Sequence, residues 1–451
     1  MYGKRLLHCL LPLCCLYLLA VILTGCGKGS DGKEEAGRKT EIVFWHSYVQ
    51  HTWPALEELV KRFEEEHPNI TLKAQYVQTG DALLQKLAAS TAAGTAPDVC
   101  WVHIDWLAPL SREDLIYNLE ELAEKYGGLE EEERADFVRG MWDISHYRGE
   151  LRMMPLEITS LALAYNKDLF RKVGLDPDKP PKDWEEFVEY GKKLTIRKGK
   201  DVEQWATTIP IYTGLQIQSY TVWLWSVFLW GEGGLYADPG GEKVAFNNEA
   251  GVRALQFWVD LQHKYRIGSM TTPEQGFESQ KVAMALMGSW DLPHLNDMAF
   301  DWGLAPLPAG SKRRVAPLGG EFLVIFRQSK HPEEAWEFVR WFVTPEIQEW
   351  WSERSKYLPV RLSALESPSY KAFLETDPGL KVFAEQMPYA YAEPIQLEQA
   401  SEIDLLLFEA LEKAVRKVAT PRKALNDAAR EANEVLAKAR EAERAQGGEQ
   451  R

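Results

Sequence analysis

An alternation of apolar patterns between residues 41 and 103 limits the folds open to this chain more than any other feature. Residues 41–48 (EIVFWHSY) read as a buried strand that ends in polar residues. After Pro54, Leu56, Leu59, Val60 and Phe63 recur at helical spacing until EEEHPN stops them. Ile70, Leu72, Ala74 and Tyr76 then alternate as a strand, and residues 81–93 are helical again. Gly94 and Pro97 break that helix, and DVCWV forms a short apolar strand. Strand, helix, strand, helix, strand predicts a largely parallel sheet covered by helices. Ligands of such sheets collect beyond the carboxyl ends of the strands. The first places to look are therefore His46, Ser47 and Tyr48 after the first strand, and His103, Asp105 and Trp106 after the third.

The rest of the chain keeps mixing the two periods. Residues 149–175 give an extended apolar run and a short helix, and DPDK at 176–179 reads as a turn. Asp183 is placed to cap a helix bearing Phe187 and Leu194. YTVWLWSVFLWGEGG is helical in length and apolar on nearly every side, which predicts burial. Pro332 opens one later helix, and Thr420 with Pro421 opens another.

The N-terminus carries a different message. Lys4 and Arg5 precede an almost wholly apolar run over residues 6–23, the layout of a secretory signal. About 20 apolar residues can also span a bilayer, but Leu-Thr-Gly-Cys at 23–26 looks like a bacterial lipobox, cut before an acylated cysteine. Residues 1–25 are then a lipoprotein signal peptide. Cys26 becomes a lipid-bearing first residue, and 26–39 a flexible tether. The protein is expected to be anchored outside the cytoplasm without spanning the membrane.

Without that signal the chain is still too long for one ordinary core and suits two. The signal removes two of 52 basic residues and no acid, so 50 against 67 leave −17. An acidic chain with no basic cluster is a poor candidate for nucleic acid. Of five cysteines only Cys100 lies beyond Cys26, which excludes an internal disulfide and suggests an inert core thiol. The 17 tryptophans fit either a well-filled core or a surface that stacks on rings.

Several stretches in fixed order are similar to the family 1 extracellular solute-binding proteins of bacterial ABC importers, of the sugar and glycerol-3-phosphate type. They are IVFWHS, AAGTAPDV, LALAYNKDLFRKVGLD, PPKDWEEF, KVAMALMGSW, APLGGEFLVI, PEEAWEFVRWFVTPEIQEWW and YLPV, over nearly the whole chain beyond the signal. The resemblance implies an α/β, two-lobed periplasmic-binding-protein-like fold with the ligand cleft between the lobes and three crossover segments. The crossovers map near 156–160, 318–322 and 374–378. One lobe is then 40–157 with 322–375, and the other 159–318 with 377–445. Hinge closure on the ligand and docking on the permease's transmembrane subunits with their ATPase are implied, by a monomer without cofactor or bound metal.

A sugar suits a cleft with flat apolar faces and a few fixed polar groups: C–H faces pack on indole or phenol rings, and hydroxyls pair with carboxylates and imidazoles. Trp290 leads the expected ligand-binding residues, because it follows Gly288-Ser289 in a turn and sugar-binding relatives often stack a tryptophan there. Asp291 and Pro293 beside it suggest an exposed turn. Asp105, Trp106, His46 and Tyr48 lie just past strands. Glu157 and Thr159 fall at the first crossover, Gly320 and Glu321 at the second, where Gly320 could admit a ligand close to backbone. Tyr357 matches a ligand-contacting place of the glycerol-phosphate type. Of Trp223, Trp225 and Trp230, at most two can face a cleft, and Trp230 beside Gly231 is the expected one. Trp336, Trp341 and Trp350 fall on amphipathic stripes and read as core. Phosphate wants an arginine fork or a helix N-terminus, and YAYAEPIQLEQASEID, where glycerol-phosphate relatives carry an arginine, has none.

The reading is capture of a mono- or oligosaccharide by hinge closure and delivery to a permease. The alternatives are a glycerol-3-phosphate or phosphodiester binding protein, and a surface glycan-binding lipoprotein without transport. Catalysis is not expected: no Gly-x-Ser-x-Gly elbow, His-Glu-x-x-His or P-loop occurs, and no spacing marks a glycosidase carboxylate pair.

Overall fold

Two mixed sheets carry the fold. A computed structural model of the protein describes residues 39–78, 81–211, 218–271, 275–392, 397 and 399–449. The signal, the lipobox with Cys26 and all of the tether before Lys39 lie outside these residues. The first sheet contains β1 (Thr40–His46), β2 (Ile70–Tyr76), β3 (Val99–His103), β4 (Met154–Thr159) and β11 (Gly319–Ile325), in the order β2-β1-β3-β11-β4. The expected β-α-β-α-β run is there: α1 (Trp53–Glu66) and α2 (Asp81–Ala92) join β1, β2 and β3, which are mutually parallel. β11 runs antiparallel to both β3 and β4. The sheet is therefore mixed rather than largely parallel, because β11 enters from the second sheet instead of from a crossover helix.

The second sheet contains β5 (Leu161–Asn166), β6 (Asp201–Thr208), β7 (Gly268–Ser269), β8 (Val282–Gly288) and β9 (Trp302–Ala305), in the order β7-β6-β8-β5-β9. Only Ser160 separates β4 from β5, and only Leu318 separates β10 (Ala316–Pro317) from β11. The chain thus passes between the sheets twice in extended form. The Leu318 N–H donates to the Tyr391 carbonyl at 2.9 Å, and β10 pairs with β12 (Ala390–Tyr391). Among the later helices, α8 (Pro368–Thr376) leads into α9 (Pro378–Glu385), which packs on β5 and β9 of the second sheet.

The helices obey local rules. Asp183 accepts the Glu186 N–H at 2.9 Å at the start of α3 (Trp184–Leu194), and Thr420 accepts that of Lys423 at 3.3 Å before α11 (Pro421–Glu449). α4 (Gln218–Gly231) buries residues around most of its circumference against α5 (Glu249–His263) and α10 (Ala400–Val415). α6 (Pro332–Phe342) covers β11 and β1 with Trp336 and Trp341 in the core, and α7 (Pro345–Ser355) follows. Trp350 differs from the expectation: it is half-buried, with the Arg354 guanidinium 4.3 Å from its ring centre. Cys100 is fully buried, and burial drives its thiol far above the usual range. Among the described residues no helix is long and apolar enough to cross a membrane.

Candidate functional site

The carboxyl ends of β1 and β3 build one wall. His46 and Tyr48 lie with ring centres 5.7 Å apart, and both are buried. The His46 Nδ1 and the Tyr48 hydroxyl are buried polar atoms without a hydrogen-bond partner among the described residues. Along β3, His103 sits edge-on between Trp101 at 4.6 Å and Trp106 at 5.5 Å. Burial pushes both His46 and His103 down to about 4, so both imidazoles are neutral at pH 7 and offer no positive charge. Asp105 is half-buried in the turn Ile104–Trp106, while Trp106 packs under that turn with 3% of its surface exposed.

Two crossover strands form the floor. Glu157 on β4 and Glu321 on β11 are cross-strand partners, followed by a bulge between Glu321 and Phe322. Glu157 has no exposed surface; its Oε1 accepts the Trp101 indole N–H at 3.3 Å and its Oε2 that of Trp351 at 2.6 Å. The Tyr48 hydroxyl faces the same carboxyl without completing a hydrogen bond of normal geometry. Tyr357, 4% exposed, stands edge-on to Tyr48 at 5.9 Å. The Ile158 and Leu358 backbones exchange hydrogen bonds of 2.8 and 3.0 Å, which fixes the Tyr357 loop to the hinge strand.

The opposite wall comes from the second sheet. β8 ends at Gly288, and the Gly288 N–H donates to Asp291 Oδ2 at 3.0 Å, which locks the turn Ser289–Asp291. A side chain at Gly288 would begin 2.3 Å from the Trp290 indole, so only glycine leaves the ring room to fold back over the turn. Trp290 is half-buried and packs against both hydrophobic cores, that of the first sheet and that of the second. Tyr220 and Trp223 of α4 each lie 6.5 Å from it, centre to centre. The Trp290 carbonyl lies 2.5 Å from Nε2 of His51, which belongs to the loop after β1, so the two walls touch here.

Several expectations are corrected. Asp291 does not mark an exposed turn; burial pushes its carboxyl up to about 6. Trp223, not Trp230, joins Trp290: it lies over Gly319 at the second crossover, where Thr159 of the first crossover also approaches. Trp230, two turns further along α4, is 5% exposed and packs edge-on against Tyr391 at 5.1 Å, where the ring is covered. Gly320 makes no opening for a ligand, because the space a side chain would take is filled by the Glu157 carbonyl at 2.3 Å and Met141 at 2.4 Å. Glu157 and Thr159 are closed beneath the floor rather than open to the cleft. Sequence reasoning missed His51, Tyr220, Trp101, Trp351 and Asp404. Asp404 on α10 accepts the Tyr236 hydroxyl at 2.5 Å, and burial, with the Asp105 charge opposite it, pushes its carboxyl up to about 7. No local pattern distinguishes these residues; only the meeting of the two walls selects them.

One wall carries the rings of Trp290, Tyr220 and Trp223, and the other neutral imidazoles and the half-buried Asp105. Such a set can stack on an apolar face and pair with hydroxyls. A cavity of about 260 Å³ lined by His67, Phe137, Arg340, Trp341 and Arg361 lies elsewhere and includes none of these groups. Among the described residues no group of three or more His, Cys, Asp or Glu is placed to hold a metal ion.

Residues 53–349 match the family described as bacterial extracellular solute-binding protein. The sn-glycerol-3-phosphate-binding periplasmic protein UgpB of Pectobacterium atrosepticum is 26% identical over 414 residues, 88% of this chain and 91% of that protein. The crystal structure of the cyclic α-maltosyl-1,6-maltose binding protein from Arthrobacter globiformis superposes with a TM-score of 0.77 at 26% identity, over 88% of this chain and 99% of that one. UgpB from Mycobacterium tuberculosis, solved in complex with glycerophosphocholine, has the same fold, with a TM-score of 0.75 at 22% identity over 89% of this chain and 99% of that one.

Proposed function

The chain belongs to the bacterial extracellular solute-binding proteins, and on that footing we propose that it captures a mono- or oligosaccharide between its two lobes. Hinge closure then presents the sugar to the permease subunits of an ABC importer. The observation that carries this reading is Trp290, half-buried between the two cores beside Tyr220 and Trp223. The rings suit the C–H faces of a sugar. The cyclic maltosyl-maltose binding neighbour supports the same substrate class. The cleft binds without converting: the relatives are named for binding, and the solute should be recovered unchanged.

Thermal unfolding of the full chain against mono- and oligosaccharides, glycerol phosphates and polyamines tests this. A ligand at about 100 times its dissociation constant adds about 2.7 kcal/mol to stability, a visible rise in melting temperature. The expected result is a rise with a neutral saccharide and none with phosphate esters. A rise only with glycerol phosphates would transfer the protein to the second reading, which the 26% identity to the glycerol-3-phosphate-binding relative favours. Arg313, with its guanidinium carbon 4.3 Å from the Tyr391 ring, lies at the covered Trp230, and its Nε donates to the Trp230 carbonyl at 2.9 Å. Neutral His46 and His103 and the buried acids disfavour an anion.

The protein works outside the cytoplasm, as its family does. We further propose that Cys26 carries the lipid that holds it, as a monomer, at the membrane face near its permease. Wild-type protein is expected to incorporate labelled palmitate, and Cys26→Ser to incorporate none. An unlabelled wild type, or equal label in Cys26→Ser, would remove the Cys26 lipid from the account.

A further inference from the structure

Beneath the aromatic floor lies an arrangement that solute binding by itself does not call for. Glu157 and Glu321 face each other across two hydrogen-bonded strands, each within two or three residues of a passage between the lobes. As directly opposed residues of antiparallel strands they put their side chains on the same face of the sheet, side by side. Both are buried, and among the described residues Glu321 Oε2 has no hydrogen-bond donor. Two carboxylates have only acceptors, so this contact is attractive only if one carboxyl carries a proton. Glu157 already accepts from Trp101 and Trp351 and is the natural acceptor. Glu321, whose Oε2 has no partner among the described residues, is the natural donor.

We propose that Glu157 and Glu321 hold a proton between them, carried on Glu321, and that this pair positions the aromatic floor of the cleft. The indoles of Trp101 and Trp351 are fixed by the Glu157 carboxylate, Tyr48 packs on both indoles, and Tyr357 packs on Tyr48. The proton thus lets two acids sit at the hinge without mutual repulsion while four rings take their orientation from one of them. The groups that face the pair are Tyr48 from the loop after β1 and Tyr357 from the loop after α7; Asp291 acts on Tyr357 from the opposite wall. Burial and the Glu157 charge hold Glu321 well above the usual carboxylate range, and burial pushes Glu157 up to about 7 against its indole bonds. A raised value means the folded state favours the proton. The stabilisation is complete below the ordinary glutamate value and is lost as pH rises through the folded one: near 7 for Glu157, and only well into alkaline solution for Glu321.

The inference does not depend on which solute the cleft takes, so its test uses the unliganded full chain. Infrared spectra at a pH of about 8.5, above the values of Asp291, Asp404 and Glu157, should retain a protonated-carboxyl stretch that shifts in D₂O and disappears in Glu321→Gln. Glu321→Gln, a neutral donor of the same shape, should melt within about a degree of wild type between pH 6 and 8.5. Glu157→Gln should melt several degrees lower throughout and lose the slope through pH 7. A large shift of Glu321→Gln in either direction would mean that Glu321 is ionised in the native protein and would overturn the proposal. If neither variant folds, the wild-type spectrum decides: no protonated-carboxyl band at pH ~8.5 refutes the shared proton.

Discussion

Replacing Trp290 by alanine is expected to cost about 2 kcal/mol or more of saccharide affinity, a loss of about thirtyfold. The size follows from the position of the indole. It is held over Gly288 by a turn that the Asp291 carboxyl locks, and it touches the cores of both sheets. A ring so placed meets the ligand with little remaining freedom, so its contact area converts to affinity without an ordering cost. Fold stability should change far less, because Trp290 is only half-buried. Calorimetric titration with the saccharide identified by the thermal panel measures the effect. A change of less than about threefold, smaller than 1 kcal/mol, would place the stacking surface elsewhere. Tyr220 and Trp223, the neighbouring rings, would then be the next to replace.

Gly320→Ala should damage the protein in a different way, by opening the hinge strands. The added methyl would start 2.3 Å from the Glu157 carbonyl oxygen and 2.4 Å from the Met141 methyl. Met141 can turn aside; the Glu157 carbonyl cannot, since β4 is tied to β11 on one side and to Leu358 on the other. Overpacking of this kind costs about 3 kcal/mol. The melting temperature should fall by several degrees, and with it the Glu157–Glu321 contact, which lies next to the displaced backbone. An unchanged melting temperature would show that the two strands separate freely, contrary to their pairing. Gly288→Ala is the informative comparison. There the obstacle is a side chain able to move, so stability should be largely kept while saccharide binding weakens as the Trp290 indole is pushed out.

Much of the fold could be read from local patterns. The alternation over residues 41–103, the Asp183 and Thr420 caps and the proline starts of α6 and α11 depend on residues a few positions apart. The turn at Trp290 was legible for the same reason. The tryptophans of α4 were not. That helix is apolar nearly all round, so its periodicity carries no direction, and the choice between Trp223 and Trp230 falls to whatever packs outside it. Tyr391 covers Trp230, while Gly319 and Thr159 leave Trp223 beside Trp290.

The sequence by itself determined the α/β character and the family resemblance, and it named the strand ends as the first places to look for a ligand. Each rests on short-range periodicity, capping and motif order, which the chain expresses without knowing its own tertiary contacts. Only the tertiary structure decided that β11 enters antiparallel and that Gly320 is filled by backbone. It alone brought His51 to the Trp290 carbonyl and set Glu157 opposite Glu321 across 164 positions of sequence. Those facts depend on strand register and on which faces meet. Because side chains alternate along a strand, shifting one strand by a single residue would turn Glu321 away from Glu157 and remove the pair.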